Sequence, residues 1–250
     1  MNDHHSVLTP TPRGQVCCVQ VQGALAYRVG YPPTSWEWTP WEYATDGRFN
    51  GRRDDPEGVW RTLYLGATRL ACYLEVLAYA RKSDELSAAL DEIIENEEEE
   101  EEFPTIAPGR VPRSWMTPRV NGSGTISGWF VAPGDIETMA TLRNCFRADA
   151  IRLGLADLDT AAIRDGRPRA LTQSISRWTN TLTDPAGNPV AGIAFDSRHG
   201  DGLVLWALYE RPGDGPISGN VTPLDHGPVE ADDPDLIEAM RLHNLVWEDS

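Results

Sequence analysis

A glutamate in the middle of the longest apolar run limits how this chain can fold. Glu75 is the only charged residue between Ala71 and Ala80, and its neighbours are mainly Ala, Leu and Tyr. Alanine and leucine favour a helix, and Arg81 and Lys82 follow where a helix C-terminus favours cations. We expect such a helix to be buried on most faces, together with its carboxylate. A buried carboxylate without a partner is costly, so it takes up a proton or recruits a cation and hydrogen-bond donors.

Arginines N-terminal to this run can supply the cation. They are Arg28, Arg48, Arg52, Arg53 and Arg61. A carboxylate in an apolar helix that faces arginines from other elements is suited to binding a small polar ligand. The same residues also fit a structural Glu–Arg pair, and the sequence leaves both interpretations open.

Composition predicts a sizeable core with many irregular connections. The chain has 250 residues, of which 40% are hydrophobic, and its nine Trp favour a well-packed interior. Its 22 Gly and 19 Pro indicate many turns rather than a helical bundle. The net charge of −16 disfavours nonspecific binding to nucleic acid or to an anionic membrane surface.

Cysteine usage and hydropathy predict a cytoplasmic protein. No apolar stretch approaches the roughly 20 residues that a membrane span needs, and the first residues lack the apolar core of a secretion signal. The four cysteines form no CxxC motif, and adjacent Cys17 and Cys18 cannot readily bond each other. We therefore expect buried free thiols in a reducing compartment, and we expect no metal site.

Local patterns predict an α+β fold with an acidic, Pro/Gly-rich insertion. The expected organisation is a disordered tail at 1–13, a domain at 14–211 with an insertion at about 83–130, and a C-terminal extension at 212–250. Strands are predicted at 15–21, 24–29, 60–65 and on both sides of a turn within 190–209. Helices are predicted from an N-cap at Thr68, and at 83–96, 136–153, 171–178 and 235–245. The six glutamates at 97–102 are typical of a solvated segment.

Five short segments in a fixed order resemble the RES domain family, which is named for its Arg, Glu and Ser. They are Tyr27-Arg28, Gly47-Arg48-Phe49-Asn50, Leu63-Tyr64-Leu65, Glu75 and Phe195-Asp196-Ser197-Arg198. The interval of eleven residues from Tyr64 to Glu75 and the downstream Ser are the more specific parts. The resemblance covers roughly residues 27 to 210, and it implies a fold similar to that of ADP-ribosyltransferases.

The resemblance also implies an activity and partners. Characterised RES proteins degrade NAD by hydrolysis or phosphorolysis, and many are bacterial toxins that a helical antitoxin protein neutralises. NAD would then be the substrate rather than a cofactor, with phosphate and an antitoxin as further partners. This chain departs from the compact toxins by its acidic insertion and C-terminal extension, which could block or modify the site. A catalytically inactive RES-fold protein-interaction module is therefore the alternative.

Site residues carry over from the family one by one. Arg28 and Arg48 match its two early arginines, Tyr64 its pocket tyrosine, Glu75 its glutamate and Ser197 its serine. Guanidinium groups bind phosphate oxygens in pairs, so both arginines are predicted to hold the NAD pyrophosphate, and Tyr64 to stack on nicotinamide or adenine. Arg48, Glu75 and Ser197 are the catalytic candidates. A negative Glu75 would stabilise oxocarbenium character on the ribose, and Ser197 would hydrogen-bond the ribose or the amide.

Each of these residues has a simpler interpretation as well. Arg28 also fits an exposed strand end, Arg48 an ion pair with Asp46 or Asp54, and Tyr64 a core position.

The region of Ser197 leaves further alternatives. Ser197 also fits turn chemistry, His199 is either a general base or a solvated turn residue, and 172–176 offers other hydroxyls. In the interaction-module alternative the cleft would be filled by tryptophans, with Trp36, Trp38 and Trp41 as candidates.

Overall fold

The computed structural model describes residues 5–81 and 108–248. The predicted helix at 83–96 and the glutamate run at 97–102 lie outside the described residues. The strands are β1 (Ser6–Thr11), β2 (Gly14–Gly30), β3 (Thr62–Gly66), β4 (Arg110–Pro112), β5 (Val120–Val131), β6 (Gly192–Asp196), β7 (Val204–Tyr209), β8 (Val221–Pro228) and β9 (Val246–Glu248). The helices are α1 (Arg69–Val76), α2 (Ile136–Arg152), α3 (Thr160–Asp165), α4 (Arg169–Asn180) and α5 (Pro234–Leu242).

Two long strands organise a seven-stranded mixed sheet. Its order is β1-β2-β3-β7-β6-β5-β8, and an additional pairing of β2 with β5 closes a circuit of five strands. β2 has 17 residues and β5 has 12, so each is long enough to pair with the other and still reach further neighbours. β2 meets β3 at a single pair, Tyr27 and Gly66, and β5 runs parallel to β6 over two pairs. β4 and β9 form a separate parallel pair.

The largest buried cluster joins the strands of this circuit around Trp36, which is fully buried. Burying a large apolar side chain stabilises a fold by about 1.5–3 kcal/mol. Glycines of β5 make room for the indole: a Cβ at Gly122 would lie 2.7 Å from Trp36 Nε1, and one at Gly124 would lie 2.9 Å from Trp36 Cζ2. The glycines of β5 are therefore a packing requirement.

The prediction of an irregular insertion at about 83–130 is corrected in its last part. The glycines there predicted irregular structure, but this part is the central strand β5, which pairs along β2 from Val131 back to Val120. The predicted boundary at 211 is also wrong. β8 pairs with β5, and α5 shares a buried cluster with α1, so 212–248 belongs to the same body as the preceding chain.

Two further expectations about the first strands are corrected. The predicted tail at 1–13 contains β1, which forms an antiparallel hairpin with β2. Most β1 side chains remain partly or fully exposed, so backbone pairing rather than apolar burial holds this strand, and the sequence carries no apolar signal for it. The two predicted strands at 15–21 and 24–29 are one strand, because the register shift between Val21 and Ala24 is a bulge with Gly23 at φ +61°.

Several other elements follow the sequence patterns, whereas β4, α3, β8 and β9 were not predicted. α2, α4 and α5 correspond to the predicted helices at 136–153, 171–178 and 235–245, with α5 ending three residues early at Leu242, and β6 and β7 form the predicted antiparallel unit. Thr68 caps α1 by accepting a hydrogen bond from the Ala71 amide at 3.1 Å. α1 ends at Val76, earlier than the apolar run, and a 3₁₀ turn at Ala78–Ala80 follows. None of the helices in the described ranges is long and apolar enough to cross a bilayer.

Trp36→Ala tests the packing of β5 against the indole. Removing this fully buried side chain should lower the free energy of unfolding by about 3–5 kcal/mol, because the glycines opposite it leave a cavity that cannot collapse. Trp41→Ala is the matched control, since Trp41 is 38% exposed, and its cost should stay below about 1 kcal/mol. Denaturant unfolding measures both, and equal losses would contradict the central role of Trp36.

Candidate functional site

A cavity of about 480 Å³ opens beside α1, and it brings together side chains from distant parts of the sequence. Three of the residues that the sequence singles out line its wall: Arg28 from β2, Tyr64 from β3 and Glu75 from α1. Arg52 from the loop before β3 lines the same wall.

Glu75 reaches this cavity because the opposite side of α1 is buried. Tyr73 and Leu74 pack into the cluster that α1 shares with Leu236 and Met240 of α5. The Glu75 side chain is 22% exposed, so it is less buried than the apolar run predicts. α1 therefore places one charged side chain on a cavity wall while its neighbours anchor the helix.

Both carboxylate oxygens of Glu75 are held by hydrogen bonds. Arg52 Nη2 donates to Oε2 at 2.6 Å, and Ser197 Oγ donates to Oε1 at 2.7 Å. The backbone amide of His199 donates to Ser197 Oγ at 3.0 Å, which leaves the serine proton directed at Glu75. Ser197 is 1% exposed. The carboxylate is thus fixed in orientation by one charged donor and one buried hydroxyl.

Arg52 is itself held in place by contacts on three sides. Its Nη1 donates to the Arg164 carbonyl at 2.7 Å, and its guanidinium lies 5.5 Å from the centroid of the Phe195 ring. Gly166, at φ +69°, ends α3 at a point where a Cβ would collide with Arg52 Cδ. The approach of Arg52 to Glu75 therefore depends on a glycine at this turn.

Tyr64 organises the loop that carries Arg52. Its hydroxyl donates to Asp54 Oδ1 at 2.9 Å and accepts from the Arg53 amide at 2.8 Å. The Gly51 amide donates to the other oxygen of Asp54. Burial raises the pKa of Tyr64 well above its usual value and also raises the pKa of Asp54. The Tyr64 hydroxyl therefore stays protonated and closes the loop.

The two early arginines differ in placement from the prediction. Arg28 is buried, donates to the Ser35 carbonyl, and has its pKa lowered by burial to about 10. Arg48 is exposed and is not part of the cavity wall; its Nη1 reaches the Pro56 carbonyl at 3.5 Å. A tight turn pairs Arg48 with Thr45, so Phe49 from this loop lines the cavity instead. The structure therefore does not bring Arg48 to this cavity, and Arg52 takes the position opposite Glu75.

The alternative hydroxyls at 172–176 are engaged elsewhere. Thr172 Oγ1 donates to the Arg169 carbonyl, Ser174 Oγ to the Ala170 carbonyl and Ser176 Oγ to the Arg53 carbonyl. Ser197 is therefore the predicted hydroxyl that the structure brings to Glu75.

His199 lies close to the site with its ring against His243, at 4.9 Å between centroids. Burial lowers the pKa of His199 to about 4, although Glu75 favours the charged form. Its imidazole is therefore neutral near pH 7, and its direct link to the site is the backbone amide that donates to Ser197 Oγ.

Sequence reasoning missed two arginines on the cavity wall. Arg198 belongs to the motif segment at 195–198 but was assigned no role there. Arg169, at the start of α4, lies in no motif. With them, the residues of the wall that carry a charge near pH 7 are the arginines at 28, 52, 61, 169 and 198 and the carboxylates Asp54 and Glu75. Within residues 5–81 and 108–248, no group of three or more His, Cys, Asp or Glu side chains is arranged to hold a metal ion.

No family model and no curated protein matches the chain. Among solved structures, the chain is similar to one in the crystal structure of the M. tuberculosis MbcT–MbcA toxin–antitoxin complex, with 13% identity, 92% of each chain covered and a TM-score of 0.42. At this identity and TM-score, the likeness carries no argument about the site or the activity.

Tyr64→Phe tests whether the tyrosine hydroxyl organises the loop. Its loss leaves the buried Asp54 carboxylate and the Arg53 amide each without one partner, so the free energy of unfolding should fall by about 1–3 kcal/mol. Tyr43→Phe is the matched control, because Tyr43 is 61% exposed, and it should be nearly neutral. Urea unfolding measures the free energy of unfolding of both variants, and a fully stable Tyr64→Phe protein would contradict the proposed role of the hydroxyl.

Proposed function

We propose that this chain is an NAD-consuming enzyme that cleaves the bond between nicotinamide and ribose. The observation that carries the proposal is the Glu75 carboxylate on an open cavity wall, held at both oxygens by Arg52 and Ser197. Glu75, Arg52 and Ser197 form the catalytic group in this account, and Arg48 lies outside the cavity wall.

The chemistry needs a fixed negative charge near the ribose. As the bond breaks, nicotinamide leaves as a neutral molecule with the bonding electrons, and positive charge develops on the ribose carbon. A carboxylate oriented in advance stabilises that charge without having to reorganise. Water or phosphate then adds to the ribose carbon, which yields ADP-ribose or its 1-phosphate and releases the proton of water when water is the acceptor.

The charge of the cavity favours an anionic substrate. Its wall carries five arginines and two carboxylates, although the whole chain has a net charge of −16. The pyrophosphate of NAD carries two negative charges, which a positive cavity attracts. The volume of about 480 Å³ lies within the roughly 300–1,000 Å³ of small-molecule sites.

The interaction-module alternative finds less support in the cavity. Trp36 and Trp38 are buried in the main core, and Trp41 stacks on Phe49 without lining the cavity, so no tryptophan fills it. In the described part of the chain, neither Arg28 nor Arg48 forms an ion pair with a carboxylate.

A toxin role with a helical antitoxin partner belongs to the same proposal and rests on the resemblance to the RES family. Its test is expression of the chain alone in a bacterial host. Growth arrest with falling NAD that Glu75→Gln relieves would support a toxin. Normal growth and normal NAD while the folded protein accumulates would contradict it.

Nicotinamide release from NAD, followed with and without inorganic phosphate, tests the activity. The wild-type protein should release nicotinamide, and Glu75→Gln should still bind NAD while turnover falls by roughly 10²-fold or more. Glu238→Gln is the matched control, since Glu238 lies on the exposed side of α5 and pairs only with Arg241 among the described residues. Absence of release under both conditions, or full activity of Glu75→Gln, would overturn the proposal.

A further inference from the structure

Three of the five arginines on the cavity wall are already engaged. Arg52 pairs with Glu75, and Arg61 pairs with Glu210 through two parallel contacts, including Nε to Oε2 at 2.8 Å. Arg28 is buried against the Ser35 carbonyl. The guanidinium groups that remain for a ligand are those of Arg169 and Arg198, to which the sequence assigned no role.

Arg169 is the first of these. It is half-buried on the cavity wall, and within the described ranges its side chain forms no hydrogen bond or ion pair. Its Nη1 lies 3.4 Å from the position of a Cβ on Gly166, the same turn that Arg52 contacts. A charged group partly withdrawn from water without a partner is costly, and an anion would relieve this cost.

Arg198 is the second. Its one ion pair in the described residues is a long contact of 3.6 Å with Asp165, and Arg198 lines the cavity. Burial lowers the pKa of Arg198, and the like charge of Arg52 lowers it further. Arg52 therefore has two cationic neighbours. Arg169 from α4 forms no ion pair within the described residues, and Arg198 from the β6–β7 loop forms only the long one with Asp165.

We propose that Arg169 and Arg198 form the subsite that binds the diphosphate of a dinucleotide substrate. Two guanidinium groups match a diphosphate in charge, and each presents paired donors to phosphate oxygens. This subsite takes over the role that the sequence assigned to Arg28 and Arg48. Arg28 is engaged by the Ser35 carbonyl, and Arg48 lies off the cavity wall. Its dinucleotide specificity rests on the proposed function, whereas binding of a diphosphate anion does not.

Isothermal titration with inorganic pyrophosphate tests the subsite in the absence of any cleavage. Wild-type protein should bind the anion, and Arg169→Gln and Arg198→Gln should each weaken binding by about tenfold or more. Arg177→Gln is the matched control: it removes an arginine from the same helix that pairs with Glu57 and does not line the cavity. Both tested side chains are partly exposed, so the variants should keep the wild-type melting temperature, which is measured alongside.

The outcomes separate this inference from the proposed function. Pyrophosphate binding that both variants weaken, without nicotinamide release by the wild type, would support the subsite and overturn the proposed reaction. Nicotinamide release with an unchanged KM for NAD in both variants would overturn the subsite and leave the reaction standing. Absence of pyrophosphate binding by the wild type, or equal binding by all four proteins, would likewise overturn the subsite.

Discussion

The ion pair between Glu75 and Arg52 is the contact on which the candidate site depends. It joins the helix that Thr68 caps to a loop that precedes β3, and Ser197 adds the segment directly after β6 from the far part of the chain. A half-buried carboxylate in an apolar helix is stable only with such partners. The strand circuit built on β2 and β5 is what brings these three segments together.

Several neighbouring features serve to keep Arg52 in place. Tyr64 and Asp54 fix the shape of its loop, Phe195 lies under its guanidinium, and Gly166 leaves it room. Arg53, the next residue, is fully buried with its guanidinium 5.1 Å from the same Phe195 ring, and burial lowers its pKa to about 10. The loop therefore places Arg52 on the cavity wall and packs Arg53 fully into the interior.

Sequence patterns predicted the parts of the structure that depend on local chemistry. The N-cap at Thr68 and the helix bearing Glu75 are examples, whereas Ser197 came from the family resemblance, which did not pair it with Glu75. β5 was missed because glycines in a sequence usually indicate a loop. The structure shows that the glycines of β5 instead make room for Trp36. The sequence motif favoured Arg48, and nothing in the sequence singled out Arg52. Which of them faces Glu75 depends on the turn at 45–48 and on a glycine more than one hundred residues away.

A double-mutant cycle tests the central claim, that Ser197 acts through Glu75 on the bond between nicotinamide and ribose. Residues that contact each other and act as a unit give strongly non-additive losses. We expect Ser197→Ala to slow nicotinamide release from NAD when Glu75 is present. We expect it to have little further effect in the Glu75→Gln background, with kcat changing by less than about threefold. Additive losses in kcat, or no loss from either single change, would contradict the account.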